Sequence, residues 1–136
     1  MIRLICKDTL FLSQKSVLAT KADMPVVDDL IDTLGANAEW CVGMAANMIG
    51  VNKRIIVFSV GPIVIPMINP VITKHVGSYE AEEGCLSLVG VRKATRYQSI
   101  EVEFLNQNFE KRTQSFDGFS AQVIQHEIDH CNGILI

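Results

Sequence analysis

The sequence predicts an α+β fold in which antiparallel strands surround a central C-terminal helix, and three observations predict it. An amphipathic helical stretch comes early, short β-branched runs separated by turn residues fill the middle, and a mostly apolar helical stretch comes last. A length of 136 residues suits one domain, so residues 1–136 are read as a single unit with one core.

Asp23-Met24-Pro25 starts the first helix, with Asp23 as N-cap and Pro25 in the first turn. Val27, Leu30, Ile31 and Leu34 share its inner face, and Gly35 stops it. Arg54 to Val60 is apolar, β-branched and closed by Gly61-Pro62, which reads as a strand buried on both faces. Ile63 to Asn69 and Val71 to Lys74 are further short strands, and Pro66 and Pro70 confine them to edges or irregular pairing. Strict alternation from Ser99 to Phe104 turns Ile100, Val102 and Phe104 inward. Asn106-Gln107-Asn108 is a hairpin turn into Lys111 to Phe116. The final helix starts near Asp117 or Ser120, runs to Cys131 and stops at Asn132-Gly133. Phe119, Val123, Ile124, Ile128 and Cys131 make it apolar on most sides, as a central helix requires.

Composition excludes several classes. With 49% apolar residues, 20% charged residues and a net charge of −3, the chain has no basic stripe for nucleic acid. No run reaches the ~18 apolar residues of a membrane helix, and the start of the chain has no secretory pattern. Cys6, Cys41, Cys85 and Cys131 are isolated singles, which fits reduced thiols in the cytoplasm rather than a disulfide framework.

Chemistry concentrates in Gln125-His126-Glu127-Ile128-Asp129-His130, which holds two of the chain's three histidines. Four residues apart on a helix, His126 and His130 share a face and can bind one metal ion, with Glu127 beside a water on that ion. After His130 come Cys131, which is adjacent, and residues without ligand chemistry, so the third ligand comes from upstream: His75, Glu82, Glu83 or Cys85. In Glu83-Gly84-Cys85-Leu86-Ser87 the Cys follows a Gly where backbone can approach an ion, and a thiolate beside two imidazoles suits zinc or ferrous iron.

These two motifs together resemble the peptide deformylase family, which pairs E-G-C-L-S with Q-H-E-x-D-H at a similar separation. The family's first motif aligns with Cys41-Val42-Gly43-Met44-Ala45-Ala46-Asn47-Met48, and the resemblance extends over nearly the whole chain. It implies the peptide-deformylase fold and a metallo-hydrolase that removes the N-formyl group from methionine at the start of nascent polypeptides. It further implies that Cys85, His126 and His130 are the metal ligands and that Glu127 is the general base and later acid. The implied ion is ferrous iron in the cell, with zinc, nickel or cobalt as substitutes. The implied oxyanion donors are the Leu86 N–H and a glutamine amide at the position where Met48 stands, and a thioether cannot donate. Val42, Phe119, Gln122 and Val123 fall at the methionine pocket, with Gln122 placing an amide on a face the family keeps apolar. Gly43 would pair with the extended substrate, and Arg92 would contact the peptide further along. Cys41 replaces the motif's first Gly, narrowing the channel and exposing it to blockage by oxidation.

Met48 and Cys41 also motivate a rival reading, a catalytically impaired relative that binds metal and peptide as a regulatory module. A metallopeptidase acting on unformylated peptides is disfavoured by the upstream Cys. A structural metal would need a fourth ligand, which only His75 could supply. Oligomeric state is left open.

Overall fold

A computed structural model describes residues 1–136. A short helix α1 (Thr9–Leu12) and a longer α2 (Met24–Ala36) lead into β1 (Gly43–Ala45), β2 (Ile55–Val60), β3 (Ile63–Cys85), β4 (Leu88–Leu105) and β5 (Lys111–Asp117), followed by α3 (Gly118–Cys131). The strands join into one antiparallel sheet in the order β1-β2-β3-β4-β5. Helix α3 lies against this sheet, and Ala121, Ile124, Ile128 and Cys131 enter the same core as Ile55 to Phe58, Met67 and Ile68. No helix is long and apolar enough to cross a membrane.

Helix α2 begins where Asp23 and Pro25 predict, but the Asp23 side chain acts one turn earlier. Its Oδ2 accepts the Thr20 N–H at 2.8 Å and closes a tight helical turn over Lys21–Asp23. The helix runs through Gly35 and ends at Asn37, whose Nδ2 donates to the Thr33 carbonyl at 2.8 Å. Val27, Leu30 and Leu34 form the buried face. Helix α1, which sequence periodicity did not reveal, is a single turn capped by the Asp8 side chain.

Strand β2 is buried from Ile55 to Phe58, as its composition requires. The short strands expected after it are instead one strand of 23 residues, and β4 likewise extends well before Ser99. The prolines sit where a missing donor is tolerated. Pro66 lies in the stretch of β3 with β2 on one side and no strand on the other, and Pro70 falls at the register shift between Ile68 and Val71. A straight strand of this length would span about 75 Å, far more than the diameter of a domain this size. Register shifts at Ile68/Val71 and Ile72/Lys74 are where the strand changes course.

Asn69 sits at the first of these shifts with a left-handed φ of 53°. Its Oδ1 accepts the Ala19 N–H at 2.8 Å and its Nδ2 donates to the Ala19 carbonyl at 3.1 Å, fastening the segment before α2 to β3. Asn69→Ala removes both bonds and puts a residue less tolerant of the left-handed region there, so a loss of about 2–3 kcal/mol is expected in urea unfolding. Asn69→Gly, which relieves only the backbone, should recover part of it.

Candidate metal centre and cleft

The β3–β4 hairpin and α3 bring the predicted ligands together. Cys85 ends β3, His126 and His130 stand one turn apart on α3, and the ligand atoms of all three lie within 4.8 Å of one another. The two Nε2 atoms face each other at 3.1 Å. His75 lies ten residues before Cys85 on β3, stacked on Tyr97 with centroids 3.8 Å apart, and takes no part in the cluster. Glu82 and Glu83 do not belong to it either.

Glu83 has another place. The His126 Nδ1–H donates to its Oε1 at 2.8 Å, which aims Nε2 at Cys85 and His130. Arg96 grips the same carboxylate, with Nε 2.9 Å from Oε2 and Nη2 2.6 Å from Oε1, and its Nη1 donates to Asp129 Oδ2 at 2.7 Å. Gln122 Nε2 donates to Glu83 Oε2 at 2.9 Å. Burial alone would raise the Glu83 carboxyl, but the donors His126, Arg96 and Gln122 outweigh it and hold the pKa at about 2. Sequence reasoning had Glu83 as a candidate ligand and Gln122 as pocket wall. Glu83's position two residues before Cys85 was the only hint of its orienting role.

Glu127 is 4% exposed, and its Oε1 has no hydrogen-bond partner. Burial lifts its carboxyl to about 7, against the pull of the neighbouring His126. His126 is pushed to about 10 because hydrogen bonds to Cys85 and Glu83 overcome the effect of burial. The donor chemistry fits one divalent ion of zinc or ferrous type. One thiolate and two imidazoles converge, His126 is braced by a carboxylate, and three protein ligands leave room for a further one beside an unpartnered carboxylate oxygen.

The cluster opens into a cleft of about 540 Å³ walled by β1, the β3–β4 hairpin and α3. Val42, Gly43, Met48, Leu86, Phe119, Gln122 and Val123 all line it, whereas Arg92, on the outer strand of the hairpin, does not. Trp40 (73% exposed) and Phe119 (66% exposed) form an apolar rim.

Strand β1 is a sheet edge, paired with β2 alone. Ser59 N–H donates to the Val42 carbonyl at 2.8 Å, so by the alternation of an antiparallel ladder the polar groups of Gly43 face away from β2. The Cys41 thiol donates to the Gly43 carbonyl at 2.7 Å. Burial pushes that thiol up to about 12.

Met48 lies in the tight helical turn Ala46–Ile49, 1% exposed, and its Sδ accepts the Ala45 N–H at 3.4 Å. Asn47 does not line the cleft, and its Nδ2 donates to the His130 carbonyl at 2.9 Å.

The sequence profile of the family described as polypeptide deformylase matches residues 3–136. A peptide deformylase of Clostridium beijerinckii is 64% identical over 136 residues, covering all of both chains. Peptide deformylase 2 of Clostridium acetobutylicum is 42% identical over 111 residues, which is 81% of this chain and 73% of that one. Among solved structures, the class I type b peptide deformylase of Acinetobacter baumannii bound to Met-Ala-Ser superposes with a TM-score of 0.89 at 26% identity, covering 99% of this chain and 97% of that one. The Legionella pneumophila peptide deformylase gives 0.90 at 31% identity, covering 99% and 83%.

Gly43 is the tightest point of the site. A β-carbon there would lie 2.6 Å from Val123 Cγ1 and 2.9 Å from Glu127 Oε2. Gly43→Ala is expected to cost about 1–3 kcal/mol in denaturant unfolding. Val123 is the stiff partner, so the Gly43→Ala/Val123→Ala double variant should lose less than the sum of the two single losses.

Proposed function

The chain belongs to the polypeptide deformylase family and is a hydrolase that removes formyl groups; we propose that Cys85, His126 and His130 hold its divalent ion, that Glu127 moves the proton, and that its substrates are formyl-methionine peptides, nascent chains among them. The observation that carries this reading is the convergence of three ligand atoms within 4.8 Å, at the floor of a cleft, beside a buried carboxylate with a free oxygen. Likeness over the full length to a peptide deformylase favours hydrolysis over a metal- and peptide-binding regulatory module.

A divalent ion at these ligands supplies Lewis acidity and brings a water's pKa down toward ~7. The protein's residues do the rest. Glu127 takes the proton of the attacking water and returns it to the methionine nitrogen as the formyl C–N bond breaks, leaving formate and a free amine. Leu86, in the turn between β3 and β4, offers its N–H to the developing oxyanion. Gly43 presents backbone polar groups at the open edge of β1, where a peptide can add as a strand. Val42, Phe119 and Val123, which line the cleft, hold the methionine side chain, and the Met-Ala-Ser bound to the Acinetobacter protein supports a peptide that begins with methionine as the ligand.

We take ferrous iron as the cellular ion, with zinc, nickel and cobalt able to substitute; a set of one thiolate and two imidazoles accommodates each of them. The four free cysteines suit a reducing compartment, and we take the cytoplasm as the place of work.

The test is formate release from a formyl-Met tripeptide by anaerobically prepared protein of known metal content. Glu127→Ala should abolish turnover while metal content stays at one ion per chain; equal turnover in this variant would overturn the role given to Glu127. Met48→Gln supplies the oxyanion donor that a thioether lacks, and kcat should rise by about 10²-fold. An unchanged kcat in Met48→Gln would show that a side-chain donor at this position contributes nothing here.

A further inference from the structure

Gln122 is one helical turn before His126 on α3, and both side chains donate to the same carboxylate, Glu83 on β3. A carboxylate has about four lone-pair directions. In Glu83, Oε1 accepts from His126 Nδ1 at 2.8 Å and Arg96 Nη2 at 2.6 Å, while Oε2 accepts from Arg96 Nε at 2.9 Å and Gln122 Nε2 at 2.9 Å. Arg96 spans both oxygens as a fork from β4 and leaves one acceptor direction open on each oxygen. His126 fills the open direction on Oε1 and Gln122 the one on Oε2, both from a single face of α3.

We propose that Gln122 is a positioning residue: its side-chain amide locks the Glu83 carboxylate and thereby holds His126 aimed at the metal. This rests on the metal site proposed above. One N–H of the amide is engaged by Glu83, so Gln122 contributes to metal affinity as well as to the wall of the cleft. The two contributions are separable, because metal affinity is measured without peptide whereas a change in the pocket wall shows in KM. An apolar side chain of the same length would leave Oε2 with one donor in a buried site, where half-filled acceptors destabilise the whole network. A longer cationic donor at the same position would refill that direction.

The experiment is anaerobic titration of the metal-stripped full chain with Co²⁺ against a chromophoric chelator, comparing wild type, Gln122→Met and Gln122→Lys, with circular dichroism confirming that each is folded. Losing a ligand's own orienting partner typically weakens metal binding 10–100-fold, and Gln122 acts one step further out, which sets its effect at the low end. The expectation is about tenfold weaker Co²⁺ binding in Gln122→Met and recovery to within about threefold of wild type in Gln122→Lys. On a Glu83→Gln background, Gln122→Met should have no further effect. Three results would overturn the proposal: wild-type affinity in Gln122→Met, an equal loss in Gln122→Lys, or additive losses in the double variant. If wild type itself fails to bind one equivalent of Co²⁺, or Cys85→Ser binds as tightly as wild type, the metal assignment falls and this inference with it.

Discussion

A guanidinium buried in a protein interior must be neutralised where it stands, and Arg96 imposes that requirement on three elements at once. Its side chain is 4% exposed on β4, and its partners are Glu83 on β3 and Asp129 on α3. Breaking such a pair from one side leaves a stranded charge, at a cost of about 3–5 kcal/mol. The hairpin and the helix can therefore dock only in the register that brings both carboxylates to Arg96. Cys85 follows Glu83 by two residues, and Asp129 adjoins His130, so the charge network that fixes the docking also sets the metal donors against each other. Structural and chemical demands fall on the same few residues, and the site has little freedom to drift.

This explains which parts were legible in the sequence. His126, Glu127 and His130 are local on one helix, and four-residue spacing is readable without tertiary knowledge. Cys85 needed a second motif, and its Gly-Cys context singled it out among His75, Glu82 and Glu83 only through resemblance to a known family. The orienting role of Glu83 was not legible, because a carboxylate near a cysteine reads as a ligand until the fold shows which atom it faces. The long β3–β4 ribbon was missed for a related reason. From Thr73 to Ser78 nearly every residue is exposed, so no apolar face alternates along it and no hydrophobic period marks the strand. Where one face is buried, as from Ser99 to Phe104, the alternation was read correctly.

The turn holding Asn47 and Met48 shows a tension between folding and chemistry. A side-chain amide at the Met48 position, 1% exposed, would stand without a partner whenever no substrate oxygen was near it. The thioether avoids that cost and accepts the Ala45 N–H instead. Asn47 shows what a buried amide requires here: its Nδ2 is bonded to the His130 carbonyl, while its Oδ1 remains unpartnered. Natural sites often hold polar groups that weaken the resting fold and act only on binding, and at Met48 this chain has the stabler alternative.

Helix α3 is at once the central element of the core and later in the chain than every strand it packs against. During synthesis α2 is available to the sheet early, but the share of the inner face that α3 covers leaves the ribosome open. Ile56, Phe58, Met67 and Val102 must wait for a helix separated from them by a long stretch of chain. Until α3 arrives, part of the sheet's apolar face has no cover. That interval is when the chain is most exposed to aggregation.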